Sequence, residues 1–156
     1  MATLNICHFP DDPVLRRKAK RVSLIDDSSI QRLIDDMIET MQQSKGVGLA
    51  APQVGVPLRI IVLQMPDEQP VTIINPEMIE RTGVQEVTEG CLSVPGYHGE
   101  IRRPAGVTVR GRDRKGKIIK IKATGLMAEA LDHEIDHLDG RLYIDRIESQ
   151  DKLYQA

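Results

Sequence analysis

"DHEIDHLDG", residues 132–140, sets His133 and His137 four positions apart, with Glu134 directly after the first. On a helix turning about 100° per residue, the two imidazoles lie about 40° apart on one side. The pattern predicts a helix from about Gly125 to Leu138, stopped by Gly140. Leu126, Met127, Ala130, Leu131, Ile135 and Leu138 fill the arc running on from that side, and Glu134 projects into it. Glu129, Asp132 and Asp136 are expected to point the other way. A buried carboxylate is costly unless something pairs with it. A metal ion with its water would serve. The competing reading is a pair of hydrogen-bonded core histidines with Glu134 against an arginine. On an amphipathic helix the H-E-x-x-H spacing favours the metal.

Two histidines leave such a site short, because catalytic zinc-type centres usually keep three protein ligands and one open position. The stretch continues as H-E-x-x-H-x-x-G, after which one large protease pattern requires histidine at the position of Tyr143. Downstream of the helix Glu148 is the only glutamate. The third ligand must therefore come from upstream, where Cys7, His8, Cys91 and His98 are available. Cys91 is the best placed, in the turn-rich "EGCLSVPG", although a free cysteine is as often a small buried apolar residue.

Outward from the histidine helix, "SSIQRLIDDMIETMQQSKG" (28–46) places Ile30, Leu33, Ile34, Met37, Ile38 and Met41 on one helical face, with Asp27 or Ser28 as N-cap and Gly46 as the stop. Residues 1–27 read as an extended arm with one short turn. "GVGLAAPQVGVP" reads as a loop, "RIIVLQM" and "VTIINP" as strands with Pro76 ending the second, and 77–104 as loop-rich with short strands. "GVTVRGRD" and "KIIKIKA" form a hairpin with Val107, Val109, Ile119 and Ile121 as its apolar positions. The fold class is α+β, with mostly antiparallel strands packed around a central C-terminal helix that carries H-E-x-x-H, in a single domain over residues 1–156.

With 156 residues and a formal net charge of −2, the chain has a core of ordinary size and no global attraction to polyanions. Basic stretches at Arg16-Arg17-Lys18 and from Arg110 to Lys122 read as solvated surface, and direct nucleic-acid binding is not expected. No apolar run suits a membrane, so the chain reads as cytoplasmic. With only Cys7 and Cys91 present, a metal or catalytic role is at least as plausible as a disulfide.

Three segments, "GVGLAAPQ" (46–53), "EGCLS" (89–93) and "HEIDH" (133–137), resemble in order and spacing the signature motifs of the peptide deformylase family. The likeness spans nearly the whole chain, "GYHGEIRRP" included. It implies one divalent metal held by Cys91, His133 and His137 with water as fourth ligand, usually Fe(II), with Zn, Ni or Co able to replace it. It further implies Glu134 as the acid–base residue, with the Gln53 side chain and the Leu92 backbone N–H as oxyanion donors. Val47, Gly48, Gly90 and Ala130 would bind substrate, and Arg103 would pair with Asp136. The substrate implied is the formyl-Met end of nascent peptides. The sequence leaves the oligomeric state open, and a monomer is the default expectation. This chain has Asp132 where many members have Gln, with little effect expected on the chemistry. Some bacterial members carry a long C-terminal helix linked to ribosome docking, whereas this chain stops at Ala156. Ribosome association is thus left open, with the short end arguing against it.

Overall fold

The run Ile60–Leu63 has no polar face because both sides of its strand are covered. A computed structural model, describing residues 2–155, shows helix α1 (Ser28–Gln43) and helix α2 (Gly125–Leu138) on opposite sides of strand β2 (Ile60–Leu63). Ile60 and Val62 pack with Ile34, Met37 and Met41 of α1, whereas Ile61 and Leu63 pack with Leu131, Ile135 and Leu138 of α2. A strand buried on both faces is apolar throughout and does not alternate.

Strand β2 pairs with β1 (Gly48–Ala50) on one side and β3 (Val71–Thr82) on the other. With β6 (Gly106–Arg112) and β7 (Ile118–Thr124) these make a five-stranded antiparallel sheet in the order β1-β2-β3-β6-β7. A second sheet has the order β4-β5-β8, from Gln85–Cys91, Val94–Arg103 and Leu153–Gln155. The α+β class and the 106–124 hairpin agree with the sequence expectation, as does the Asp27 cap, whose carboxylate accepts from Ser29 N at 2.9 Å. The first helix ends at Gln43, short of Gly46, because Lys45 itself takes the left-handed turn at φ 56°.

Three expectations need correction. The small-residue segment at 46–53 is not all loop, since Gly48–Ala50 pairs with Ile61–Leu63. Pro76 does not end its strand. It falls inside a register shift between Ile74 and Glu77, where Asn75 has φ 54° and its side chain grips both backbone groups of Val22. A bulge is one of the few places a strand tolerates proline. Residues 77–104 are mainly two long strands, β4 and β5, whose polar alternation reflects one solvated face.

The N-terminal arm ties these parts together. Its backbone donates from Cys7 to Gln53 O at 2.7 Å, from Phe9 to Ser93 O at 2.8 Å and from Ala19 to Leu138 O at 2.8 Å. It is thereby fastened to the segments of all three signature motifs or their flanks. Gly140, which closes α2, sits at φ +76°, and a Cβ there would lie 2.6 Å from the Arg16 carbonyl oxygen. Gly140→Ala combines left-handed strain with that clash and is expected to lower the unfolding free energy by about 1–3 kcal/mol, read from urea denaturation.

Candidate active site

Cys91 ends β4, while His133, Glu134 and His137 come from α2. The Nε2 atoms of the two histidines are 3.2 Å apart, and Cys91 Sγ is 3.4 Å from His137 Nε2. All three donor atoms lie within 4.8 Å of one another. Metal bonds of about 2.0–2.3 Å at tetrahedral angles separate ligand atoms by about 3.3–3.8 Å. The cluster therefore fits a divalent metal in donor chemistry and spacing. Of the other upstream candidates, Cys7 lies by Gly55 and His98 stacks on Tyr154 at 5.3 Å.

Glu89 sets the ring orientation. Its Oε1 lies 2.6 Å from His133 Nδ1, which leaves His133 Nε2 turned toward the cluster. Burial works to raise the Glu89 carboxyl, but hydrogen bonds from His133 and Arg103 win and hold it below the ordinary carboxylate range. Burial likewise pushes the Cys91 thiol up, yet the charges and hydrogen bonds of the two imidazoles bring it well below its usual value. A thiolate is the form a metal takes. Burial works to lower the His133 imidazole, but the charge of Glu134, hydrogen bonds with Cys91 and Glu89, and the charge of Cys91 push it well above its usual range. A cation at the centre would satisfy the same negative groups.

Glu134 is buried and its Oε1 has no hydrogen-bond partner. Desolvation raises its carboxyl, partly offset by the two histidines. It fits because Gly48 has no side chain, and a Cβ on Gly48 would stand 2.6 Å from Glu134 Oε2. Gln53 is buried beside it. Its Oε1 accepts from Ala50 N at 3.0 Å, so its amide NH₂ faces Cys91 Sγ at 3.5 Å and Ser93 Oγ at 3.2 Å.

These groups open onto a cleft of about 530 Å³, which Val47, Gly48, Gly90, Leu92 and Ala130 also line. The substrate-binding residues that the family likeness implied thus all border the cleft. The expectation that the other helix acids face away is overturned: Asp132 is 1% and Asp136 3% exposed. The second sheet covers that side of α2 and delivers Arg103, whose side chain is fully buried. Arg103 donates to Glu89 twice at 2.9 Å, to Asp132 at 3.1 Å and to Asp136 at 2.6 Å. Arg81 reaches Asp132 at 3.0 Å, and Arg146 grips Asp136 with two bonds of 2.7 Å. Glu129 is half-buried at the cleft, where burial and then Glu89 push its carboxyl up to about 7. Leu126, expected in the core, is 46% exposed and lines the cleft instead. Glu89, Ser93, Arg81 and Arg146 were missed. The signal for a shared cation was the spacing of Asp132 and Asp136, one helical turn apart.

A half-buried thiol and two imidazoles brought together at a cleft that a carboxylate and an amide line mark the class of metal-dependent hydrolases. The chain belongs to the polypeptide deformylase family, whose model matches residues 3–153. It is 57% identical over 156 residues to the peptide deformylase of Dehalococcoides mccartyi, covering 99% of this chain and 92% of that one. With the Alkaliphilus metalliredigens peptide deformylase it shares 56% over 144 residues, covering 92% and 97%. Among solved structures, the Legionella pneumophila peptide deformylase superposes with a TM-score of 0.91 at 45% identity, covering 97% of this chain and 89% of that one. The Synechococcus elongatus peptide deformylase in complex with actinonin gives 0.92 at 39%, covering 97% and 82%.

Replacing Arg103 by Met would take the shared cation from three buried carboxylates, leaving Asp132 to Arg81, Asp136 to Arg146 and Glu89 to His133, and breaking such a buried charge set costs about 3–5 kcal/mol. Glu89 and Asp136 titrate below the ordinary range, Asp136 because Arg146 and Arg103 outweigh its burial. Their contribution is thus complete above the unfolded carboxylate range and is lost as pH falls through the lowered folded values. The gap between parent and Arg103→Met is expected to be widest near neutral pH and to narrow in acid, as measured by urea unfolding across pH.

Proposed function

We propose that the chain is a metal-dependent hydrolase that removes the N-formyl group from the N-terminal formylmethionine of newly synthesised polypeptides and releases formate. The observation that carries this is the convergence of Cys91 Sγ and both histidine Nε2 atoms at the cleft where Glu134 Oε1 and the Gln53 amide also point. In this reading residues 1–156 form one catalytic domain. The H-E-x-x-H helix is its centre, with mostly antiparallel strands packed around it. It works as a monomer in the cytoplasm.

Cys91, His133 and His137 hold one divalent metal, most naturally Fe(II) with Zn, Ni or Co as substitutes, which supplies Lewis acidity for attack by water near neutral pH. Glu134 takes the proton of the attacking water, as its partnerless oxygen and raised pKa suit it to do, and passes it to the departing amine. The water oxygen bonds to the formyl carbon while the carbon–nitrogen bond breaks. Charge developing on the formyl oxygen meets the Gln53 amide and the Leu92 backbone N–H. Gln53 is pre-aimed because Ala50 N holds its other end.

Strands β1 and β4 are each the edge of a sheet, and both border the cleft through Gly48 and Gly90. An extended peptide can therefore add as a strand along the backbone of Val47, Gly48 and Gly90. The methionine side chain then rests on Val47, Leu92 and Ala130. Arg103, itself held by Asp136, keeps Glu89 against His133 and so fixes that ring. Actinonin, held by the Synechococcus elongatus and Ehrlichia chaffeensis proteins, is a suitable occupant of the same cleft.

Formate release from a short formyl-Met peptide, with metal content read on the same sample, tests the assignment. Chelation is expected to abolish release, and Fe(II), Zn, Ni or Co to restore it. Glu134→Gln should keep the metal yet lose about 10²–10⁴-fold in kcat. Full activity in that variant would remove Glu134 from the mechanism, and no release from metal-loaded parent would end the reading.

A further inference from the structure

Three acids line the cleft: Glu89, Glu129 and Glu134. Glu134 has the water proton to move, and Glu89 is spent on Arg103 and His133. Glu129 has no ion pair among the described residues. Its half-buried carboxyl stands within hydrogen-bond reach of Glu89, whose two oxygens already accept from Arg103 and His133. Arg103 has nothing left for it, because each arm of that buried guanidinium is engaged by Glu89, Asp132 or Asp136. Two carboxyl groups set side by side with their nearby cation used up leave the outer one short of positive charge.

Exposure along the cleft shows what passes that carboxyl. Glu134 and Ala130 are each 4% exposed, whereas Leu126 is 46% exposed. The cleft therefore closes at the metal-ligand cluster and opens toward Leu126. A formyl group held at the closed end sends the rest of its peptide outward past Glu129. Glu129 precedes His133 by one helical turn, about 6 Å along the axis. An extended peptide covers that distance in about two residues. With methionine against Ala130, the side chain that comes level with Glu129 belongs to the next residue.

We propose that Glu129 is a specificity-determining residue that favours formyl-Met peptides with lysine or arginine directly after the methionine, an inference that rests on the proposed function. Long basic side chains lay an apolar stem on apolar surface and keep the charge at its edge. Pro95 and Leu126, both exposed at the cleft, offer such a surface beside Glu129. A glutamate at that place in the peptide would add a third negative charge, which gives discrimination as well as attraction. Lys45 also lines the cleft but is exposed, so water and salt screen it more than they screen the half-buried Glu129.

Formate release by metal-loaded full-length protein from three peptides differing only in the residue after formyl-Met (lysine, glutamine or glutamate) tests this. The readout is the ratio of kcat/KM between peptides within one protein, so any change in overall rate cancels. The parent is expected to favour lysine over glutamine by about two- to fivefold and to take glutamate least. The preference should lie in KM, as binding shared by ground and transition states leaves kcat alone, and should shrink from about 50 mM to about 500 mM salt. Glu129→Gln should bring the lysine-to-glutamine ratio to about one, and Glu129→Lys should reverse the order. A parent that takes the three peptides equally overturns the proposal. So does a Glu129→Gln variant that slows all three alike and keeps their ratios, since that marks a packing role. Release of no formate from any peptide would instead end the functional reading, whereas equal release from all three leaves that reading standing.

Discussion

Arg103 is the charge on which the site depends. It comes from the second sheet, is wholly buried, and meets Glu89, Asp132 and Asp136 at once. Two of these acids lie on α2 and the third holds the His133 ring, so one guanidinium couples a sheet, a helix and a ligand orientation. Buried ion sets contribute little net stability but punish the loss of any member. Their value here is geometric. Displacing Arg103 would free Glu89 and with it the tautomer of His133.

The same economy runs through the rest of the cleft. Gly48 serves by having no side chain, since Glu134 occupies the space. Gln53 is fixed at its oxygen by the backbone of Ala50, which is why its nitrogen faces Cys91. The arm at residues 7–19 is pinned to the backbones of Gln53, Ser93 and Leu138. Reactive groups on three separate elements are thereby held by backbone bonds to a common strap. Such support matters because catalytic geometry tolerates little displacement.

The two faces of α2 differ in chemistry. Toward the cleft lie acids, imidazoles and a thiol drawn toward thiolate; away from it lie arginines that share a groove with Ile135 and Asp139. Neither separation is visible in a net charge.

Local sequence determined much. The period of 28–43 set a helix, the alternation at 106–124 set a hairpin, and H-E-x-x-H placed two histidines and a glutamate on one helical side. The order of the three motifs pointed to the family and to Cys91. Each of these rests on contacts between near neighbours or on a repeated pattern, which a chain displays along its length. Only the tertiary structure decided the fate of Asp132 and Asp136, because their burial depends on an arginine 29 and 33 positions away. It also decided that Gly48–Ala50 is a strand, since so short a segment between glycines and a proline pairs only when β2 lies beside it. The continuation of β3 through Pro76 likewise required Asn75 to find the backbone of Val22, 53 positions distant. A helical wheel assigns one face to the core, but a helix covered from both sides buries charge wherever the opposite charge is delivered.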